Sequence, residues 1–267
     1  MKEALGAPIA RLQRWGDGVD APAAGARNLY PQGFEMKWDV PGAIKQFGHT
    51  TARVEAIMEK GNEKAAKSFK QHNLRLLPEQ AAALYAYTEE KPEKLYNRLN
   101  YAMRTPNSDS ELHRYSDYLH HVQTALSNLP AHLSLYDGKV YRGIKIRVKP
   151  ENYGTVIGDK IIVTGDERVT WQAFSSSTKN STTSLSFVEH LPGGRLRGSL
   201  FIIESKKGKL ISTFSAYEAE DEVLFDANSQ FKVLKRATSK EEKRTMLDEL
   251  SKYETSELDV YSLEQLM

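Results

Sequence analysis

The residues best suited to chemistry are an arginine, a serine and a pair of glutamates in the second half of the chain. Arg142 follows the apolar start of one predicted strand, and Ser176 lies in a run of hydroxyl residues after another. Glu220 and Glu222 come directly before the apolar run 223–225. Side chains two residues apart in an extended segment point to the same face, so both carboxylates should line one cleft. A guanidinium there can clamp a pyrophosphate, and a carboxylate at the mouth of a buried strand is typical of functional sites.

Each of these residues also has a simpler interpretation. Arg142 can form a surface ion pair, and the hydroxyl run 176–178 can end a loop or cap a helix. The glutamates belong to an acidic run that suits a solvated turn. Glu218 and Glu220 have the same spacing as Glu220 and Glu222, so two registers stay open.

A helical part of the chain precedes the β-rich part that must position these residues. Helical periodicity and proline punctuation predict helices between about 40 and 130. Short β-branched and aromatic segments predict a β core from about 138 to 236. The charged tail 237–267 predicts a surface helix, Ser239 to Tyr253, and a last edge strand at Asp259–Tyr261. This order favours an α+β fold with helices packed on a two-sheet, mostly antiparallel core.

The beginning of the chain has a different character. Residues 16–25 are rich in Gly, Ala and Asp and resemble a linker, so residues 1–39 are predicted to be a flexible leader. The first 15 residues lack the apolar segment of a Sec signal peptide. The length is enough for one large domain or two small ones, and residues 40–267 are predicted to form a single domain.

Composition excludes several function classes. The chain has 267 residues with 37 Lys and Arg against 35 Asp and Glu, a net charge of +2 that does not indicate nucleic acid as the partner. It contains no cysteine, so thiol nucleophiles, disulfides and cysteine metal sites are excluded. The seven histidines show no metal-ligand spacing, and we expect no metal site. No apolar stretch is long enough to span a membrane.

The order and spacing of these residues resemble the arginine–serine–glutamate class of mono-ADP-ribosyltransferase toxins, in particular the catalytic domain of clostridial binary actin-modifying toxins. The resemblance covers about 77–235 and implies an ADP-ribosyltransferase fold that uses NAD as co-substrate and no metal. It implies that Arg142 holds NAD and that Ser176 orients the catalytic glutamate. Glu222 would stabilise the oxocarbenium-like charge that develops as nicotinamide leaves. Glu220 would position and help deprotonate the acceptor arginine.

Further contacts with NAD and the acceptor follow from the same resemblance. Tyr96 and Asn100, one helical turn apart, match a tyrosine and an asparagine that face NAD, although Tyr96 also suits a core aromatic. The backbone beside Arg142 would read the nicotinamide amide, with Gly143 allowing close approach. Tyr217, in the turn before the glutamates, is a plausible acceptor contact.

Two positions beyond the serine run complete the implied site. Arg197 matches an arginine that binds an NAD phosphate, and Arg195 is an alternative. The aromatic residue that stacks on nicotinamide in this family has no direct counterpart, and Phe187 is the nearest aromatic.

The predicted function is therefore transfer of ADP-ribose from NAD to arginine side chains of a target protein, such as actin or a GTPase, with release of nicotinamide. Two alternatives keep the fold, an NAD glycohydrolase and a non-catalytic NAD- or protein-binding module. We expect a monomer without a nucleic-acid partner or membrane span. It would be secreted or injected into a host cell by a non-Sec route and act in the host cytoplasm, or be cytoplasmic if a phage delivers it.

Overall fold

The computed structural model of the chain describes residues 28–90, 94–104, 109–147 and 168–267. These residues form two compact units. Within the described residues, the first unit comprises 28–134 and the segment Ile211–Glu218, and the second comprises 135–147, 168–210 and Ala219–Met267. Residues 1–27 of the predicted leader, and residues 148–167 of the predicted β core, lie outside the described residues.

The first unit consists of helices, as the periodicity before residue 130 predicts. In chain order they are α1 (Val40–Lys45), α2 (Thr51–His72), α3 (Pro78–Thr88), α4 (Leu95–Arg104), α5 (Asp109–Arg114), α6 (Ser116–Asn128) and α7 (Ala131–Ser134). The side chain of Thr50 caps the start of α2, and Asn73 ends it in a left-handed conformation. Pro78 lies in the first turn of α3, where its missing N–H costs nothing.

Helices α2 and α3 pack closely because small residues face each other. A Cβ atom on Gly61 of α2 would lie 2.5 Å from the Cβ of Ala82 in α3, closer than atoms can approach. Val54, Ile57 and Ala65 of α2 are buried. The contact fixes the position of α2 against α3.

Residues 28–39, which the sequence assigns to the flexible leader, pack on α6. The ring centroids of Tyr30 and His120 are 5.7 Å apart, and those of Trp38 and His121 are 5.3 Å apart. The packed part of the first unit therefore begins earlier than the predicted end of the leader. Aromatic side chains supply the apolar surface that holds this segment, whereas the prediction relied on the linker-like composition further upstream.

Because His120 is buried, we expect acid to destabilise the protein. Burial, and then the neighbouring His121, lowers the pKa of His120 from 6.5 to about 4. An unfolded chain takes up this proton as the pH falls below 6.5, while the folded protein takes it up only near pH 4. The folded state with a neutral His120 therefore has its full stability above pH 6.5, and it loses stability as the pH falls towards 4. We expect a loss of about 2 kcal/mol, measured by denaturant unfolding.

Variants of two histidines test this expectation. His120→Leu removes the titrating group and should flatten the dependence of the unfolding free energy on pH. His113→Gln, on the exposed side of α5, should leave the dependence as in the parent protein. The same loss between pH 6.5 and 4 in His120→Leu as in the parent would contradict the assignment.

The second unit is built on a mixed, mostly antiparallel sheet. Its strands are β1 (Leu135–Ile144), β2 (Arg168–Trp171), β3 (Ser175–Thr178), β4 (Glu189–Leu191), β5 (Arg195–Leu210), β6 (Glu222–Phe225), β7 (Ser229–Ala237) and β8 (Glu254–Gln265). A short helix, α8 (Ser181–Ser186), follows β3. The tail helix predicted at Ser239 to Tyr253 consists of two shorter elements, α9 (Lys240–Met246) and a 3-10 helix at Asp248–Lys252.

Strand β5 connects the parts of this sheet. The strands are hydrogen-bonded in the order β1-β3-β6-β5-β8-β7-β2, with β4 also paired to β5. Because β1 also pairs with β5, strands β1, β3, β6 and β5 form a closed circuit. The predicted α+β class and mostly antiparallel core are confirmed, and the two sheets expected from the sequence are joined in one hydrogen-bonded network.

Strand β8 corrects the prediction of an edge strand at Asp259–Tyr261. It lies between β5 and β7 and runs parallel to β5. Leu258 and Val260 belong to one hydrophobic cluster, while Tyr261 and Leu263 belong to another. Both faces of the strand are therefore buried, which a central strand requires and an edge strand does not.

Candidate active site

The residues suited to chemistry lie on three neighbouring strands of the second unit. Arg142 is in β1, Ser176 is in β3, and Glu222 opens β6. Strand β3 lies between the other two, because Thr178 pairs with Tyr141 on one side and with Glu222 on the other. Strand pairing thus brings together side chains that are far apart in the sequence.

Ser176 and Glu222 are joined directly. The Oγ atom of Ser176 donates a hydrogen bond of 2.5 Å to Oε1 of Glu222, a length typical of a hydroxyl bound to an ionised carboxylate. Glu222 pairs with Thr178, so Ser176, two residues away on the same face of β3, is its diagonal neighbour. Glu222 is only 5% exposed. The bond therefore orients a buried carboxylate.

Arg142 contacts the same strand. Its guanidinium donates a hydrogen bond to the backbone carbonyl of Ser176. The residue is half-buried, and its backbone pairs with Phe201 of β5. A guanidinium held in this way can bind a phosphate group through parallel N–H donors.

The other hydroxyl groups of β3 hold the segment that carries the glutamates. Ser177 donates to a β6 carbonyl at 2.8 Å, and Thr178 donates to the carbonyl of Glu220. The ammonium of Lys179 lies 3.2 Å from Oδ1 of Asp221. The hydroxyl run is thus a strand whose side chains anchor its neighbour, rather than a loop or a helix cap.

Glu220 does not share an extended segment with Glu222. Glu218–Glu220 form a 3-10 helix, and Asp221 has a φ of 49°, a region that non-glycine residues rarely adopt. The expectation that strand pleating alone puts both carboxylates on one face is therefore wrong, because the rule holds only for an extended chain. Glu220 is half-buried in the turn, whereas Glu222 is buried in the strand.

Glu218, the first residue of the alternative register, has other partners. Its two carboxylate oxygens lie 2.6 Å from the ammonium of Lys64 and 2.7 Å from that of Lys67, all within the first unit. Hydrogen bonds from these lysines lower the pKa of Glu218. The carboxylate that Ser176 contacts is that of Glu222, two residues beyond Glu220.

Gly143 has a packing role that the sequence did not indicate. A Cβ atom at this position would lie 2.1 Å from the carbonyl oxygen of Ser184 and 3.2 Å from a methyl group of Val188. A side chain on Gly143 would therefore point into α8. The glycine lets the helix lie close to β1, and the space is not left open for a ligand.

Arg197 and Phe187, the remaining residues of this unit that were predicted to contact NAD, are exposed. Arg197 donates to Glu257 at 2.8 Å and lies 3.5 Å from Glu189. Arg195, the alternative, contacts the same Glu257 at 3.5 Å. Phe187 follows α8 and is 38% exposed. Arg197 would have to exchange its carboxylate partners for a phosphate.

Tyr96, Asn100 and Tyr217 belong to the first unit. Tyr96 and Asn100 lie on α4, and the amide nitrogen of Asn100 donates to the hydroxyl of Tyr87 at 3.1 Å. Burial raises the pKa of Tyr96. Tyr87, a buried residue of α3, therefore holds the side chain of Asn100. Tyr217 is exposed in the turn after β5.

Neither a cluster of metal ligands nor a membrane-spanning helix occurs in the part of the chain that the structure describes. In those residues, no group of three or more His, Asp or Glu side chains is arranged to hold a metal ion. None of the helices described is both long and apolar enough to cross a membrane.

The family of the chain follows from its match to a family model. The model described as "ART: NAD:arginine ADP-ribosyltransferase" matches residues 42–255, most of the chain. The chain therefore belongs to the NAD:arginine ADP-ribosyltransferase family. It is an NAD-dependent mono-ADP-ribosyltransferase that uses arginine side chains of proteins as acceptors. No curated protein sequence matches the chain significantly.

Solved structures share the fold at low sequence identity. The ADP-ribosyltransferase HopU1 of Pseudomonas syringae pv. tomato is 19% identical, with 88% of this chain and 90% of that chain covered and a TM-score of 0.54. The type III effector XopAI of Xanthomonas axonopodis pv. citri is 15% identical, with coverage of 98% and 100% and a TM-score of 0.58. Vis of Vibrio splendidus, an ADP-ribosyltransferase solved with agmatine, is 19% identical, with coverage of 84% and 90% and a TM-score of 0.52.

Proposed function

We propose that Glu222, Ser176, Arg142 and Glu220 carry the arginine ADP-ribosyltransferase reaction. The observation that carries this proposal is the 2.5 Å hydrogen bond from Ser176 to the buried Glu222. NAD carries a positive nicotinamide ring and a negative pyrophosphate. The carboxylate of Glu222, oriented by the neutral Ser176, suits the first group, and the guanidinium of Arg142, bonded to the Ser176 carbonyl, suits the second.

Glu222 would act at the bond that breaks. The bond between nicotinamide and the ribose C1′ atom breaks, and its electron pair leaves with nicotinamide, which becomes neutral. Positive charge then develops on the ribose, and a fixed carboxylate stabilises this charge more than the ground state. Because Ser176 already holds the carboxylate, it need not reorient during the reaction.

Glu220 would act on the acceptor. A guanidinium nitrogen of the target arginine forms the new bond to C1′ and loses one proton, which Glu220 accepts. The local contacts support the register Glu220/Glu222, because Glu222 holds Ser176 and Glu218 is occupied by two lysines. In the alternative register, Glu220 would have to replace Glu222 at the ribose.

The remaining roles concern NAD binding. Arg142 would bind the pyrophosphate, since its guanidinium is already fixed next to Ser176. Tyr96 and Asn100 would face NAD, the strand backbone beside Arg142 would read the amide of nicotinamide, and Phe187 would supply a stacking ring. Arg197 would contribute less than Arg142, because a phosphate must compete with its two carboxylate partners.

The class of acceptor and the place of action are inferred from structurally similar proteins. Agmatine, bound to the structurally similar Vis, carries the same guanidinium group as arginine and is a suitable small acceptor. XopAI is a type III effector, which supports delivery of this chain into a host cell by a non-Sec route. The two units would act together as one catalytic domain, since the family match spans both. We expect a monomer and a target with an accessible arginine.

Incubation with labelled NAD tests the proposal. The purified protein is mixed with NAD and either a host-cell lysate or agmatine, beside the Glu222→Gln variant. A labelled protein band that neutral hydroxylamine releases, and that the variant does not produce, would support arginine transfer by this site. Nicotinamide release without a labelled acceptor would instead identify an NAD glycohydrolase. NAD binding with neither product would identify a binding module.

A further inference from the structure

The turn 215–218, which precedes the two glutamates, is held from both sides within the first unit. Its backbone begins at Ser215, directly after the buried Phe214, and ends at Glu218, the first residue of the 3-10 helix. Tyr217, at its tip, is 39% exposed. Contacts from α2 and α3 fix the residues on both sides of this ring.

Lys64 of α2 makes two of these contacts. Its ammonium donates to the carbonyl oxygen of Ser215 at 2.7 Å and to Oε1 of Glu218 at 2.6 Å, so one side chain holds both ends of the turn. The Lys64 side chain is only 13% exposed. The ring of Tyr85 lies beneath the ammonium, with the centroid 6.0 Å away.

Lys67 holds the other half of the same carboxylate. It lies on the same face of α2 as Lys64, three residues further, and donates to Oε2 of Glu218 at 2.7 Å. Each oxygen of Glu218 therefore has its own lysine. Two hydrogen-bonded cations around one carboxylate explain why the pKa of Glu218 is lowered.

The backbone of the turn is fixed by α3. The N–H of Ala216 donates to Oγ1 of Thr88, the last residue of α3, at 2.8 Å. The N–H of Tyr217 donates to Oγ of Ser215 at 3.1 Å. Since α2 and α3 pack tightly at Gly61, the turn rests on a rigid pair of helices.

We propose that Lys64 and Lys67 are positioning residues for recognition of the protein acceptor, and that they act through Glu218 by holding the turn 215–218 in its acceptor-binding conformation. The inference rests on the proposed function and on the expectation from the sequence that Tyr217, in this turn, contacts the acceptor. A turn that is already ordered loses no conformational entropy when the target binds, so its affinity for the target is higher. Chemistry on NAD itself does not depend on the turn.

The test separates recognition of the target from cleavage of NAD. Lys64→Met, Lys67→Met and the double variant are compared with the parent protein in NAD hydrolysis, transfer to agmatine and transfer to the protein labelled in the lysate experiment. We expect the double variant to raise KM for the protein acceptor roughly tenfold, since preorganisation of the turn is lost. Its kcat for the protein acceptor, and its NAD hydrolysis, should stay within about twofold, because such a loss affects binding alone.

Two further variants show whether the effect comes from the contact to Glu218. Lys67→Arg keeps the positive charge and the donor, so its KM for the protein acceptor should equal that of the parent. Lys60→Met is the matched control, since Lys60 forms an exposed ion pair with Glu63 on the same helix and does not touch the turn. It should leave all three activities unchanged.

Three results would overturn the inference. An unchanged KM for the protein acceptor in the double variant, with normal hydrolysis, means that the lysines do not position the turn. An equal fall of hydrolysis and transfer means that they only stabilise the fold. If the parent protein hydrolyses NAD but transfers to no acceptor, the proposed function itself has failed, and the positioning role fails with it.

Discussion

Replacing Glu222 by glutamine should lower both ADP-ribose transfer and NAD hydrolysis by about 100- to 1000-fold, because both reactions break the same bond. Glutamine has the size of glutamate and can still accept the hydrogen bond from Ser176, so the substitution removes mainly the negative charge. The charge matters most when the ribose becomes cationic, and the effect should therefore appear in kcat more than in KM for NAD.

Folding of the variant can be checked separately. Glu222 is 5% exposed, and burying a charge is costly, so thermal unfolding of Glu222→Gln should occur at no lower temperature than in the parent. Glu204→Gln is the matched control, because Glu204 is a partly buried carboxylate of β5 outside the proposed site. Near-normal hydrolysis by Glu222→Gln, measured as nicotinamide release, would refute the role of this residue.

Replacing Glu220 by glutamine should separate the two reactions. We expect transfer to agmatine and to protein to fall by about 100-fold, the usual contribution of a positioned general base, while NAD hydrolysis keeps a substantial part of its rate. Water needs no guanidinium-binding carboxylate, whereas an arginine must lose a proton as it attacks. Both products can be measured in one assay, nicotinamide by chromatography and ADP-ribosyl-agmatine by its label.

Glu218→Gln decides between the two registers. If Glu220 and Glu222 are the working pair, this variant should keep hydrolysis and transfer to agmatine, and lose only affinity for the protein acceptor. If Glu218 and Glu220 were the pair, Glu220→Gln would abolish hydrolysis, and Glu218→Gln would abolish transfer to every acceptor. The lysine partners of Glu218, at 2.6 and 2.7 Å, make the first outcome the expected one.

Much of the site could be predicted because its motifs are local. The arginine, the hydroxyl run and the glutamate pair each lie in or directly beside a short segment with a clear apolar pattern. Strand β6 begins at Glu222, the second glutamate of the pair. The fold class followed from the change of periodicity near residue 130.

The predictions that failed depended on neighbours that are distant in sequence. An edge strand at Asp259–Tyr261 was a reasonable interpretation of a short segment in a charged tail, but β8 is longer and lies between β5 and β7. Gly143 suggested ligand access, yet the atom that requires the glycine is the carbonyl oxygen of Ser184. Neither neighbour can be identified from local composition.

The sequence by itself predicted the family and the residues that we propose for the chemistry, because side-chain type and position beside an apolar segment are local properties of the chain. Only the tertiary structure decided which carboxylate Ser176 contacts and which one Lys64 contacts. Ser176 contacts Glu222 across 46 positions of sequence, and Lys64 contacts Glu218 across 154. Such pairs form only when strands or helices have packed, so the turn at Asp221, rather than an i and i+2 rule, determines how Glu220 and Glu222 are presented.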